Sequence, residues 1–564
     1  MELSPVTTLS NGPVSKAKNL ADVAQEVLFE FRQVSGDRGN WEAHWTEIAE
    51  RIWPNHSFLF MGFGIQKTEG EKRTFRLFDS TAALALNRFG AILDSLLTPR
   101  NQKWHRLKPA DKMLEKNHEV MMWFEVVNDL LFKYRYAPQA NFSSQNQLVY
   151  KSLGAYGTGA MFIDSLANEP GLRYKNTFLG EMYFFENHQG IVDRAIRHFM
   201  MRARPAAQLW GDTLPDEIKQ AAINFPNRPY YFLHCVKPRG EPAIFRKDYK
   251  GMPYASYYVS VTGAAGLSEG GYRTFPYAVP RYEQMPHEVY GRSPAMDVLP
   301  AIKTLNEQKK AMLKQAHRVI DPILLVHDDG IIDTFSLKPG AMNAGGISAD
   351  GRPLVQPLPT GNVQLGKEMM DEERNLINDA FLVSLFQILV QTPEMTATEA
   401  LERAREKGIL LNPTLGRQQS EYLGPMIDRE IDVLMSQNLL PPMPKILKQA
   451  QGEYIAEYDS PLSRAQRAEE ASGLMRTIES ALQIVQVTQN PEPLDFFNWD
   501  VVIPEVASIN GTPLAWMRTL DQVKIIRNQR SQDAQINQAI TAAPGAAAMI
   551  KAGAAAQKAG GGNG

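Results

Sequence analysis

The sequence predicts an α+β fold in which helix predominates, and three observations carry that expectation. Apolar residues recur at helical spacing through the first third of the chain and again from about residue 293 to 437. From Gly159 to about Tyr290 the texture changes to short β-branched and aromatic runs separated by Gly and Pro. The composition, 44% hydrophobic and 22% charged over 564 residues, suits a chain that buries a large core and excludes a disordered or collagen-like one. At roughly 150 residues per domain the length corresponds to about three to four units.

Taken in order, residues 20–33 and 41–53 read as amphipathic helices. In the second, Trp41, Trp45, Ile48 and Ile52 fall on one face, and Pro54 ends the run. Asp79, Ser80 and Thr81 offer N-caps for a helix through Leu97 that stops at Pro99. Helical patterns follow at about 113–135 and 143–153. In the strand-rich stretch, Tyr230–Val236 and Tyr257–Val261 are the clearest strands.

Helix returns from Ser293 or Pro300 to about Ile320. Either Pro294 occupies the first helical position and Pro300 is a kink, or Pro300 opens the helix. Residues 321–363 form a turn-rich insert with Asp329-Gly330, Pro339-Gly340, Gly345-Gly346 and Asp350-Gly351 steps, and helical periodicity resumes from Leu365 to about Leu389. A break at Thr392-Pro393 precedes a capping box, Thr396-Ala397-Thr398-Glu399, whose helix continues with interruptions at Gly408 and Pro413 to about Gln437. Pro441-Pro442 ends it. The last 31 residues hold twelve Ala, six Gly and two charges, Lys551 and Lys558, so they bring little side-chain material to a core.

Charge and motif content exclude several functions. With 60 Lys and Arg against 62 Asp and Glu, the net charge of −2 argues against a tight, sequence-independent grip on nucleic acid. One cysteine, Cys235, excludes an intramolecular disulfide and a cysteine-rich zinc cluster. The first residues lack a secretory signal pattern, and the longest apolar run, AFLVSLFQILV near 380–390, is too short to span a bilayer, so neither export nor membrane insertion is expected. There is no P-loop, no H-E-x-x-H and no G-x-S-x-G, and His44, His56, His105 and His118 lack companions at ligand spacing. Gly154–Gly159 lies after a helix and before a strand, the reverse of a dinucleotide fingerprint, and reads as a structural turn. No catalytic residue, metal ligand or cofactor is expected. A competing soluble enzyme would have to use carboxylates such as Asp79 or Asp297 in a concave site.

Two helical stripes stand out. From Leu365, the residues Glu368, Glu372, Asn375 and Asp379 share a face with Asp371 at its edge, flanked by Leu365, Met369, Leu376, Ala380 and Ser384. Acids at i, i+4 repel by about 0.2–0.5 kcal/mol per pair, so helix stability alone does not account for them. On the preceding helix Lys303, Lys310, Lys314 and Arg318 share a face with Glu307. A solvated surface is the ordinary explanation of either stripe; contact with DNA phosphates or with a neighbouring helix is the functional one.

The order of motifs resembles the head-to-tail connector, or portal, proteins of short-tailed phages. The match lies in Trp45–Pro54, then Leu77-Phe78-Asp79-Ser80-Thr81, then Leu96-Leu97-Thr98-Pro99 with Trp104. It continues in Tyr290-Gly291-Arg292-Ser293-Pro294, Leu299–Asn306 and Met395–Glu399. The resemblance implies a dodecameric ring at one capsid vertex through which double-stranded DNA passes during packaging and ejection. It implies a virion protein assembled in the host cytoplasm, without catalysis or cofactor. Its partners would be the terminase large subunit, a tail adaptor, and the major capsid and scaffolding proteins. An oligomeric capsid or scaffold component without DNA contact is the nearest alternative.

The same resemblance implies a layout. Residues 1–290 form a wing, 291–320 a first stem helix, 321–363 a clip and 364–390 a second stem helix. Gln391, Thr392, Pro393, Glu394 and Met395 form a tunnel loop, 396–440 a long kinked helix, 441–508 a return to the wing, and 509–564 a crown with the Ala/Gly-rich tail. A ring lined with lysines would bind DNA and impede its sliding. Glu368, Glu372 and Asp379 are therefore expected to line the channel, with Lys303, Lys310, Lys314 and Arg318 turned outward or toward a neighbouring subunit.

Overall fold

A computed structural model describes residues 19–59, 70–326 apart from 71, 75, 167–168, 241–245 and 247, and 336–359 apart from 337 and 344–345. It also describes 363–384, 414–509 apart from 451, 459–460 and 491, and 516–542 apart from 519. The chain divides into two units, one of residues up to Lys103 with Leu131–Leu440, the other of Trp104–Leu130 with Pro441 onward.

The first unit begins with α1 (Leu20–Asp37) and α2 (Gly39–Ile52), joined through Arg38 alone. The first helix runs four residues past the expected 33. Trp45, Ile48 and Ile52 are buried as their spacing predicts. Next, α3 (Thr81–Leu97) ends one residue ahead of Thr98 as expected, but its N-terminal Asp/Ser pair works differently. Ser80 makes no side-chain cap, and Asp79 Oδ1 accepts the Thr81 N–H at 2.9 Å instead. After β1 (His105–Pro109), α4 (His118–Arg135) starts five residues later than the pattern suggests. Asn117 caps it, accepting the N–H groups of Glu119 (3.0 Å) and Val120 (3.3 Å). α5 spans Phe142–Tyr156.

The strand-rich stretch holds β2 (Met161–Ser165), β3 (Leu172–Asn176), β4 (Met182–Glu186) and β5 (Val192–Arg202), then α6 (Ala203–Trp210) and α7 (Asp216–Asn224). It continues with β6 (Pro229–Pro238), β7 (Tyr254–Ser260), β8 (Ala265–Tyr272) and the short β9 (Tyr277–Ala278). Strands β4-β5-β6-β7-β8 form an antiparallel meander, and β3-β2-β9 a smaller sheet. Alternation along the meander explains its two covered faces. Ile196, Leu233, Cys235 and Val259 bury one face against Val23, Val27, Leu28 and Phe31 of α1. Phe199, Phe232 and Leu267 bury the other against Ala203, Ala206 and Ile218 of α6 and α7. Each such fully buried large side chain contributes about 1.5–3 kcal/mol.

The Gly-rich turn is structural. Gly157 closes α5 at φ +75°, and a Cβ there would lie 2.2 Å from the Gly291 carbonyl oxygen, so the chain crosses itself where a side chain has no room. Just beyond, the two prolines open two successive helices, so Pro294 sits at a first helical position as one reading had it, while Pro300 begins a helix and is not a kink. Ser293 caps α8 (Pro294–Asp297), its Oγ accepting the Met296 N–H at 3.2 Å, and after a break at Val298 Pro300 sits in the first turn of α9 (Leu299–Ile320). In the insert, β10 (Leu324–Val326) pairs antiparallel with β11 (Val355–Pro357). α10 (Val363–Ala380) then returns along α9, with Gly366 against Met312. A break follows at Leu382, which takes φ +62°, and Val383 and Ser384 are helical again; the rest of the expected run to Leu389 lies outside the described residues. The tunnel-loop residues and the 396–399 capping box lie outside the described residues. From 414, where the described residues begin again, the chain is helical, passes through a π turn at Gln419–Leu423 and continues as α11 (Gly424–Ser436).

The second unit pairs β1 with β12 (Tyr454–Tyr458), His105 opposite Tyr458. Trp104, Leu107, Phe124 and Val127 are buried, and Trp123 Nε1 donates to the Pro441 carbonyl at 3.1 Å. It also contains α12 (Lys445–Gln449), α13 (Pro461–Thr488), α14 (Trp499–Ile509) and α15 (Leu520–Ala542). The last carries helix into the Ala-rich tail as far as Ala542. Among the described residues no helix is long and apolar enough to cross a membrane.

Candidate functional site

The α9/α10 pair carries both charged stripes. Met370, Ile377 and Phe381 bury the inner face of α10, each an apolar residue at helical phase with the next. That rotation leaves Glu368, Glu372, Asn375 and Asp379 exposed together, with Asp371 beside them. The acidic stripe thus exists as one outer face. Its apolar flank is open as well, Met369 being 50% and Leu376 52% exposed.

The basic stripe on α9 keeps its common face, and its first half has partners. Lys303 Nζ reaches Glu47 Oε1 of α2 at 2.7 Å, and that hydrogen bond holds the Glu47 carboxyl below its ordinary pKa. Lys310 lies 3.5 Å from Glu307 Oε2 and over the Phe78 ring. Lys314 and Arg318 are exposed. The fold thus engages the near half of the stripe.

Sequence reading missed the junction that fixes the pair. Asn306, buried on α9, accepts the backbone N–H groups of Phe78 and Asp79, both at 3.0 Å. Arg374 Nη2 of α10 donates to Asp79 Oδ2 at 2.7 Å, and its Nη1 to Asp371 Oδ1 at 2.8 Å. Burial pushes the Asp79 carboxyl up, but hydrogen bonds from Thr81 and Arg374 outweigh it and hold the group below its ordinary value. Arg374 is raised in turn, chiefly by its hydrogen bond to Asp79. The Phe78-Asp79 turn therefore ties both helices to the start of α3. The signal was present: Asn306 follows Leu305 in the apolar phase of α9, where a polar side chain needs a partner.

A second polar cluster sits at the other end of α3. Asn146 Nδ2 donates to Asp94 Oδ1 and to Thr98 Oγ1, both at 2.8 Å, while its Oδ1 accepts from Tyr422 Oη at 2.6 Å. Burial pushes the Tyr422 hydroxyl well up, so it remains a donor. Arg281 grips both Glu421 oxygens at 3.0 Å and also pairs with Glu186.

The two carboxylates of the enzyme alternative lie apart from two hollows. Asp79 is committed to Arg374. Asp297 has its pKa raised by burial and by Glu283, but neither carboxylate lines the hollow at Asn224–Arg228 (about 500 Å³) or the one between Met475, Ile478, Trp499 and Val502 (about 350 Å³). Among the described residues no group of three or more His, Cys, Asp or Glu is placed to hold a metal ion.

Comparison with known proteins gives three kinds of match. The family described as bacteriophage head to tail connecting protein matches residues 24–517. A portal protein of Salmonella phage epsilon15 is 27% identical over 541 residues, covering 93% of this chain and 94% of its own. A probable portal protein of Bordetella phage BPP-1 is 26% identical over 521 residues, covering 91% and 92%. Among solved structures, the neck of an empty GTA particle computed with C6 symmetry matches at 13% identity and TM-score 0.34, over 72% of this chain and 90% of that one. The virion of a native gene transfer agent particle matches at 14% identity and TM-score 0.31, over 76% and 94%.

Proposed function

Because the chain belongs to the family of bacteriophage head to tail connecting proteins, we propose that it is the portal of a phage capsid, the ring at one vertex through which double-stranded DNA is packaged and ejected. The family match over residues 24–517 carries this reading. A portal is a structural part of the virion and does no chemistry of its own; its work is to hold a hole open, dock partners and let DNA slide. The partners proposed are the terminase large subunit and then a tail adaptor, with the major capsid and scaffolding proteins around the ring.

On this reading residues up to about 290 with 441–508 are the wing, α8 with α9 and α10 the stem, and 321–363 the clip. Residues 391–395 are the tunnel loop, 396–440 the long kinked helix, and 509–564 the crown and tail. Glu368, Glu372 and Asp379 line the channel, and their common exposed face supports that assignment. Lys303, Lys310, Lys314 and Arg318 lie on the outer or inter-subunit side, where Lys303 also pairs with Glu47 and Lys310 with Glu307. The physical logic is repulsion: duplex DNA carries a charge about every 1.7 Å, and an acidic wall keeps the phosphates from adhering.

Electron microscopy of the purified protein under procapsid-assembly conditions tests the reading. The expected result is rings, dodecameric in the particle, with a central hole wide enough for duplex DNA. Monomers alone, or closed particles without a hole, would overturn it. Deleting Thr392–Met395 should spare the ring and reduce packaging or DNA retention; loss of the ring would assign that segment a structural role instead.

A further inference from the structure

The α9/α10 pair has four sides, and its two charged stripes occupy two of them. Buried Leu305 and the Met312 side chain, which Gly366 faces, mark the side of α9 that α10 covers. At about 100° per residue, Lys303, Lys310, Lys314 and Arg318 fall on the side of α9 away from α10. Glu368, Glu372 and Asp379 fall opposite buried Met370 and Ile377, on the side of α10 away from α9. The basic and acidic faces therefore lie at the two ends of the pair's cross-section, and two edges remain between them.

The junction of Asn306, the Phe78-Asp79 turn and Arg374 occupies one edge. Leu313 and Ile320 follow Asn306 at steps of seven residues and carry that edge onward, 42% and 81% exposed, with Phe78 39% exposed beside it. Cations flank this apolar line: Lys309 and Lys310 one turn before Leu313, and Lys367 on α10 one turn from Asp371, which Arg374 already holds. Met369 and Leu376, also seven residues apart, form the other edge. Acids flank that line, Glu372 on the solvent side and half-buried Glu373 on the side toward α9. The two edges are thus alike in apolar content and opposite in the charge of their borders.

We propose that these edges meet each other between copies of the chain: Met369 and Leu376 of one copy pack along Leu313 and Phe78 of the next, with Glu372 and Glu373 toward its Lys309, Lys310 and Lys367. This rests on the reading of the chain as a ring-forming portal. A closed ring joins two different surfaces of the same chain, and the charge complementarity of the edges selects a second copy as the occupant. The heights agree as well. Gly366 beside Met312 in an antiparallel pair puts Met369 level with Lys309, so copies standing side by side bring Met369 within about 6 Å, along the axis, of the neighbour's Leu313. The acidic face then stays turned to the channel and the basic face outward, and each stretch of channel wall is completed by two copies.

Cysteine cross-linking of assembled rings tests the contact. The parent's Cys235 is buried and sets the background. With a short bis-maleimide, rings of Leu313→Cys/Met369→Cys should give a ladder of covalent oligomers on a denaturing gel. Leu313→Cys and Met369→Cys alone should give none, because the joined edges differ. Leu313→Asp and Met369→Asp/Leu376→Asp, all at exposed sites, should fold by circular dichroism and lose rings by native mass spectrometry, whereas Ile223→Asp, at an 83% exposed residue of α7, should assemble as the parent does. Double-cysteine rings whose thiols react without forming a ladder overturn the proposal, as do rings unimpaired in both Asp variants. A ladder from either single-cysteine variant would reveal a contact between like edges and overturn it too. If an Asp variant does not fold, the cross-linking decides alone. A parent that forms no rings would instead sink the portal reading itself.

Discussion

Reversing the acidic face of α10 gives the sharpest test of how the channel works. The 18 residues of α10 span about 27 Å, alongside which roughly 16 phosphates of a duplex lie at any moment. Replacing Glu368, Glu372 and Asp379 by Lys takes the formal charge of the subunit from −2 to +4. All three positions are exposed, so the fold should tolerate the change to within about 0.5 kcal/mol per site. Each lysine that meets a phosphate releases about 0.9 counterion, so three add about 2.7 to the slope of log affinity against log salt. Over a fourfold rise in salt that is a fall of roughly 40-fold in affinity per subunit. The assay is fluorescence anisotropy of a short duplex with assembled rings between 50 and 200 mM salt, paired with a count of DNA-filled heads. The expected result is tight, salt-sensitive binding with packaging slowed or stalled, and an intermediate response for E368Q/E372Q/D379N. Unchanged affinity and slope in intact rings would refute the placement of this face against DNA.

Three further outcomes follow from the fold. Arg135 and Glu430 are both 0% exposed and joined at 3.0 and 2.5 Å, with Tyr174 Oη donating to Glu430 at 2.5 Å. Arg135→Met should therefore cost about 3–5 kcal/mol in local stability by hydrogen exchange of α11, and Arg135→Met with Glu430→Leu should recover most of it. His234, fully buried between Tyr277 Oη and Ser256 Oγ, has its pKa lowered by burial from 6.5 to about 3. The unfolded chain binds the proton first, so its contribution is present above pH 6.5 and is lost as pH falls toward 3, on the order of 4–5 kcal/mol in all. Hydrogen exchange of β6 and β7 in the parent and in His234→Gln should show that slope in the parent alone. Asp79→Asn removes a charge-assisted bond and should loosen α10 against α3 by about 1.5–3 kcal/mol, read as faster exchange at 370–380, with no change in β4–β8.

Legibility in the sequence followed the physics of each signal. Helices α1, α2, α3 and α9 could be read because one face of each is buried and the 3.6 period is long enough to count. Helices α6 and α7, of eight and nine residues inside strand-rich sequence, are too short for that period to separate from turns. The break after Ala380 was hidden because residues 380–384 hold no Gly or Pro, whereas it is made by a single left-handed residue, Leu382. The π turn is a one-residue slip of phase with no compositional mark. The acidic face was legible as a face, since its members lie within twelve residues, 368–379. The junction was marked only by Asn306 in the apolar phase of α9; its partners were not legible, because Arg374 meets Asp79 across 295 positions and Tyr422 meets Asn146 across 276.

The near-zero net charge takes on a different meaning once the pairs are placed. Four arginines, Arg38, Arg135, Arg281 and Arg429, are buried and matched by Glu42, Glu430, Glu421 with Glu186, and Asp432. Such pairs cancel within the fold and say nothing about the surface. On α10 the described acids are Glu368, Asp371, Glu372, Glu373 and Asp379, against Lys367 and Arg374. Arg374 is shared between Asp79 (2.7 Å) and Asp371 (2.8 Å), so it reaches the acidic face only at its edge. Glu368, Glu372 and Asp379 remain exposed beyond it. A balanced total is therefore compatible with a locally acidic face. Asp79→Asn should weaken the hold of α3 on α10 while leaving the Arg374 guanidinium on Asp371, so the fixing of α10 should loosen with little change in the charge of its exposed face.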